Sequence, residues 1–183
     1  MVGGDGDGPV RLQFMMLGAA LALGAGPAVA STLIIPPATA VAMRIVVLHN
    51  QARASAGVRP IYWDSTLASA ADAYALELAR TGRWGHSPSA ARPGQGENLW
   101  MGTRGAFSID QMVGAWAAEG RWFRRGRFPA VSVTGRWDQV GHYSQMIWPG
   151  SDRVGCAVRS SARTDYLVCR YSPAGNIVGV TVP

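Results

Sequence analysis

The chain has 183 residues, 48% of them apolar, with 7 Trp, 2 Cys and a net charge of +6, enough for the core of one ordinary domain and giving no reason to require a second. Every basic residue is Arg and there is no Lys, which excludes a P-loop lysine, Schiff-base chemistry and a lysine-dependent kinase site. In an exported chain a basic balance points to anionic lipid or a cell-envelope polymer before nucleic acid, which is not expected here; plain solubility of an Arg-rich surface accounts for the charge equally well.

In chain order, Arg11 precedes an apolar stretch, Leu12 to Ala25, that ends in Gly26-Pro27-Ala28-Val29-Ala30. A basic start, a short apolar run and an Ala-x-Ala end predict a signal peptide over 1–30, cut before Ser31. The run falls short of the roughly 20 residues that span a bilayer. Its removal takes away Asp5, Asp7 and Arg11 and raises the net charge to +7. A secreted or periplasmic destination follows, with 31–39 as a short linker and 40–183 as the folded domain.

A first helix is expected from about Thr39 to Ala56, closed by Gly57, then an extended link from Val58 to Asp64. Asp64 or Ser65 can cap a second helix ending near Thr81, with Leu67, Ala71, Tyr74 and Leu78 as its inward stripe. Residues 82–105 show no period and are rich in Gly, Pro and Ser, so they read as a long loop of the kind that is often functional. Ser108 can cap a third helix running to about Arg121, with Ile109, Met112, Val113 and Trp116 inward. Another loop follows from Arg121 to Trp137, then a short helix over Val140 to Ile147 and a hairpin over 152–172.

The even cysteine count in an exported chain favours one disulfide, and the hairpin supports it. If Cys156 faces Cys169, then Val154 faces Tyr171, Val158 faces Leu167, and a two-residue turn falls at Ala162-Arg163. Alternation then puts those six side chains on one apolar face and turns Arg159 and Arg170 away from it. A closed loop of this length is worth on the order of 3 kcal/mol in the chain-entropy account. Metal ligation by the two cysteines is the alternative, and it lacks companion ligands. Helices before and between strands give an α+β sandwich.

Beyond residue 30 the chain has three His and three Glu. His86, Glu97, Glu119 and His142 form a legitimate set of donors for a divalent ion, zinc suiting mixed nitrogen and oxygen ligands, or an acid and base pair. Spacing does not bring them together, for there is no H-E-x-x-H pattern.

Leu48-His49-Asn50 with Arg53, Gly57, Pro60 and Trp63-Asp64 open a series of motifs. Gly85-His86-Ser87, Gly96-Glu97-Asn98-Leu99, Trp116-x-x-Glu119, Gly141-His142-Tyr143-Ser144-Gln145 with Trp148, and Cys169-x-Tyr171-x-Pro173 continue it. Taken together the series resembles the CAP superfamily of cysteine-rich secretory, antigen 5 and pathogenesis-related proteins (the SCP domain), over about residues 40–180, with the look of a bacterial-type single-domain member.

The resemblance implies a three-layer α-β-α sandwich with an open cleft lined by His86, Glu97, Glu119 and His142. His86 and His142 would be metal ligands for zinc or another divalent cation, and the two carboxylates would act directly or through water. It assigns His49 to packing or hydrogen bonding outside the cleft, and Tyr143, Gln145 and Trp148 to buttressing the fourth helix. The implied function is an exported binding protein for a metal and a sterol, fatty acid or other lipid. A metal-dependent hydrolase and an envelope-directed interaction or defence protein are the alternatives.

Ser87 and Ser144 neighbour cleft histidines but lack a Gly-x-Ser-x-Gly setting, which argues against a serine hydrolase. Val140 stands where many members carry a Cys, which would leave 121–137 unpinned. In that segment Arg121 to Phe128 alternates Arg with aromatics and could meet anionic headgroups; a solvated loop with buried aromatic anchors accounts for it slightly better.

Overall fold

The computed structural model describes residues 37–183; the expected signal peptide and most of the linker lie outside the described residues. Helix α1 runs Pro37–Ser55 and α2 Ser65–Thr81. The Asp64 carboxylate accepts from the amides of Thr66 and Leu67 to start α2, and Gly82, at φ 67°, ends it in the left-handed conformation that glycine adopts freely. Helix α3, Ile109–Ala118, opens on a capping box in which Ser108 and Gln111 satisfy each other's backbone amides. It gives way to a 3₁₀ turn over Glu119–Trp122 where one continuous helix to Arg121 was expected. Helix α4 is six residues long, Gly141–Met146.

Four strands form the main sheet: β1 (Tyr62–Trp63), β2 (Gly96–Thr103), β4 (Arg153–Ser160) and β5 (Thr164–Ser172), in the order β1-β4-β5-β2. Strand β1 is parallel to β4 and the other pairs are antiparallel. The hairpin has the expected register, with Cys156 opposite Cys169, Val154 opposite Tyr171 and Val158 opposite Leu167, and the two cysteines are bonded. On that face Ile45 of α1, Met112, Val113 and Trp116 of α3 and Met146 of α4 pack against Val154, Leu167 and Tyr171. On the other, Ala71, Ala75 and Leu78 of α2 cover Leu99, Tyr166 and Val168. Three layers result, with the sheet in the middle.

One expectation is corrected and another is extended. The long loop of 82–105 contains β2, an eight-residue edge strand. It shows no alternating apolar pattern because its first four residues are all buried and two of them, Glu97 and Asn98, are polar. Arg159 and Arg170 do turn away from the disulfide face, but toward α2: Arg159 pairs with Asp72 at 2.6 Å, and Arg170 is buried against Tyr74.

Segment 121–137 is pinned without a disulfide. Strand β3 (Gly126–Arg127) pairs with β6 (Thr181–Val182). Phe128, Val131 and Val140 join Ile147, Trp148 and Val182 in a second apolar cluster.

Candidate functional site

The four predicted side chains assemble as two His–Glu dyads. His86 lies between α2 and β2, and its Nδ1–H donates to Glu97 Oε1 at 2.7 Å. The Glu97 carboxylate is wholly inaccessible and accepts two more bonds, from the Ser87 amide at 3.0 Å and from Ser87 Oγ at 2.9 Å, and it is ion-paired with the Arg170 guanidinium at 3.0 Å. Burial opposes the charge on Glu97, yet the bond from His86, the Arg170 cation and the Ser87 donors outweigh it and hold the carboxyl below its ordinary range. Arg170 completes a row across the sheet, directly opposite Glu97 on one side and Gly155 on the other.

The second dyad is built on α4. A helix this short leaves its first amides without partners, and Val140 ahead of it offers no capping side chain. Glu119, from the turn after α3, supplies the cap from outside: Oε2 accepts from the amides of His142 and Tyr143 at 3.0 and 3.1 Å, while Oε1 accepts from His142 Nδ1–H at 2.6 Å. Trp116 stacks on the His142 ring, centroids 5.8 Å apart and planes 15° from parallel. At the other end of α4, Arg53 donates to the carbonyls of Met146 and Trp148. Gln145 reaches Ser151 and the Gly175 amide.

Neighbouring residues at the start of β2 serve the two dyads. Glu97 holds His86 on the α2 face, and the next residue, Asn98, points to the opposite face, where its Nδ2 donates to the His142 carbonyl at 3.1 Å. Among the described residues no three His, Cys, Asp or Glu side chains group around a point where a metal ion could sit. Both carboxylates are engaged by an imidazole Nδ1–H and by backbone amides. What remains directed outward is one Nε2 on each imidazole, with the His86 side chain 54% exposed and that of His142 32%.

Sequence reasoning missed the connection of His49 to this site. Its Nδ1–H donates to the Ile45 carbonyl at 2.8 Å, and its Nε2 accepts from the Tyr171 hydroxyl at 2.8 Å. Tyr171 in turn accepts from Asn98 at 3.1 Å. A buried chain thus runs from α1 through β5 and β2 to the His142 carbonyl. The signal was present in the proximity of Asn98 and Tyr171 to the cleft motifs, but only the fold reveals that they touch.

Burial lowers the His49 pKa to about 4, so the folded protein keeps it neutral where the unfolded chain takes up a proton. Stability is therefore full above about pH 6.5 and falls by on the order of 3 kcal/mol as the pH drops to about 4. Urea midpoints across that range should show this limb in the wild type, and a His49→Gln variant should flatten it; an equal slope in both would refute the assignment.

Neither neighbouring serine is arranged as a nucleophile, since Ser87 Oγ donates to Glu97 and Ser144 Oγ to the Asn176 side chain at 2.7 Å.

A family model described as "CAP: Cysteine-rich secretory protein family" matches residues 46–171. The chain is 36% identical over 132 residues to a pathogenesis-related protein of PR-1 type from Sambucus nigra, covering 72% of this chain and 75% of that protein. It is 38% identical over 133 residues to pathogenesis-related protein 1C of Nicotiana tabacum, covering 72% and 74%. Among solved structures it resembles NaASP2 with a TM-score of 0.64 at 24% identity, over 77% of this chain and 83% of that one. It resembles BmVAL-1 with a TM-score of 0.59 at 22% identity, over 83% and 84%.

Proposed function

The chain belongs to the CAP family of cysteine-rich secretory proteins, and from that premise we propose that it is an exported binding protein that holds a divalent cation, zinc first, between His86 and His142. The observation that carries the reading is the fixed orientation of both imidazoles. Each is tied through Nδ1 to a carboxylate, the arrangement that fixes the tautomer and raises the basicity of a metal-binding Nε2. Glu97 and Glu119 are then orienting groups rather than ligands. The donor set fits zinc with two protein nitrogens, which leaves further positions for water or a ligand. NaASP2, similar in fold, is described as a structure "with Zn2+".

A bound ion would supply Lewis acidity at the cleft; the residues of this chain hold and orient it. The hydrolase alternative needs a carboxylate free to act as base. Neither qualifies, because Glu97 accepts from His86 and Ser87 and is ion-paired with Arg170, and Glu119 accepts from His142 and two amides.

One feature of the fold supports the lipid half of the reading. A groove of about 690 Å³ between α1 and β1 is lined by Ala42, Met43, Val46, Val47, Tyr62 and Trp63, apolar enough for a sterol or fatty-acid chain. The bacterial-type assignment rests on the missing family cysteines alone. The defence reading is supported by the basic charge and the expected export, and the plant relatives are called pathogenesis-related proteins.

Calorimetric titration with zinc tests the site. One ion per wild-type chain is expected, with affinity reduced more than about 100-fold in His86→Ala or His142→Ala and about 10- to 100-fold in Glu119→Gln. Unchanged binding in either histidine variant would sink the proposal.

A further inference from the structure

The structure sorts the aromatic residues of segment 121–137 into two sets. Phe123 packs edge-on against Tyr143 with centroids 5.3 Å apart, and Phe128 lies in the second apolar cluster. Trp122, Val133 and Trp137 face solvent, at 43%, 57% and 47% exposure. The segment folds back on itself as a short ribbon: Phe123 bridges Ser132, the Val133 amide donates to the Trp122 carbonyl at 2.9 Å, and the Arg124 amide to the Val131 carbonyl at 2.8 Å. Trp122 and Val133 are therefore cross-strand neighbours, held outward by a ribbon that its inward residues and the β3–β6 pairing keep in place.

Around them stand Arg121, Arg124, Arg125 and Arg127, all exposed. No acidic residue lies between Glu119 and Asp138. Glu119 is committed to His142 and Asp138 to Arg136, and among the described residues none of these four arginines enters an ion pair. The Arg121 guanidinium lies over the Trp122 ring at 5.5 Å, so the cation and the indole are already held side by side.

We propose that this ribbon docks the protein on an anionic phospholipid bilayer, Trp122 and Val133 entering the interface and the four arginines meeting headgroup phosphates. Charge complementarity selects a polyanion, and the exposed indole beside an exposed valine selects a bilayer over a soluble one. Indoles settle at the headgroup level of membranes, and each arginine near an anionic surface contributes enough to change affinity about fivefold. A nucleic acid or an envelope polymer would use the arginines and leave Trp122 and Val133 without a role. The proposal does not depend on the metal reading.

Vesicles of phosphatidylcholine alone, and of phosphatidylcholine with phosphatidylserine, test it with the full chain. Residues 1–36 contain no tryptophan, so quenching of tryptophan fluorescence by brominated acyl chains reports on the folded domain and not on the apolar N-terminal stretch. The expected result is quenching on anionic vesicles only, weakening with added salt. Trp122→Ser with Val133→Ser should abolish the quenching. Trp122→Phe should retain sedimentation with vesicles while losing most of the quenching. Arg124→Gln and Arg125→Gln should each weaken binding about fivefold, and thermal melting checks that the variants are folded. Quenching that persists in the Trp122→Ser, Val133→Ser variant, or binding to soluble heparin with no quenching on any vesicle, would overturn the proposal.

Discussion

Replacing Arg53 with methionine is expected to cost at least about 3 kcal/mol of stability and to remove zinc binding with it. Arg53 is 1% exposed. Its Nε donates to the Arg59 carbonyl at 2.7 Å, Nη1 to Met146 and Trp148 at 2.9 and 3.0 Å, and Nη2 to Ser151 at 2.8 Å. Burial lowers its pKa to about 10, so it stays charged at neutral pH, with backbone carbonyls in place of a carboxylate partner.

Methionine fills much of the volume but withdraws the donor from four carbonyls; those of Met146 and Ser151 are then buried acceptors without a partner, while that of Trp148 keeps only the Ser151 amide at 3.2 Å. Met146 ends α4, a helix too short to persist unaided. The loss should therefore reach His142 some distance from the substitution. Arg53→Lys should rescue little, because a compact ammonium cannot reproduce the planar fork that serves four acceptors. Urea denaturation and zinc calorimetry on both variants would check this; a stable Arg53→Met protein with normal zinc affinity would contradict it.

Gly155→Ala is expected to be comparably severe. A Cβ at this point of β4 would meet the amide nitrogen of Ala68, the Asp64 carbonyl oxygen at 2.5 Å and the Leu67 carbonyl carbon at 2.6 Å. All three are backbone atoms at the capped start of α2, so no side chain can swing aside. Relief would require α2 to lift from the sheet, exposing Leu78, Ala71 and Ala75. Overpacking with a side chain that can yield costs about 1–3 kcal/mol, and this contact should exceed that range. Failure to accumulate as folded protein, or a thermal midpoint far below the wild type, is the expected reading; a variant that melts within a few degrees of it would show that the two layers can part easily.

The elements with a strong local cause were legible in the sequence. Asp64 and Gly82 mark α2 because a carboxylate on free amides and a left-handed glycine are local events. The hairpin register followed from two cysteines and a period of two. Strand β2 was hidden because Glu97, which neutralises Arg170, occupies a position where a buried strand would normally show an apolar residue.

The expectation that His86, Glu97, Glu119 and His142 share one site came from the motif series. Their pairing into dyads, with the carboxylates turned to amides and imidazoles, needed the three-dimensional path of β2 and α4. The chain through His49, Tyr171 and Asn98 joins residues as many as 122 positions apart, a distance over which periodicity carries no information.

The disulfide has a consequence for the life of the protein once it is made. Cys156 and Cys169 join the two central strands of the sheet, and the exposed turn between them holds Arg163, an inviting cut for a trypsin-like protease. In the exported setting proposed above, a cut there would produce two polypeptides that remain one molecule, with the residues that hold the cleft divided between them and still covalently in register. Damage at the most accessible point of the hairpin would then be tolerated until a reductant separated the halves.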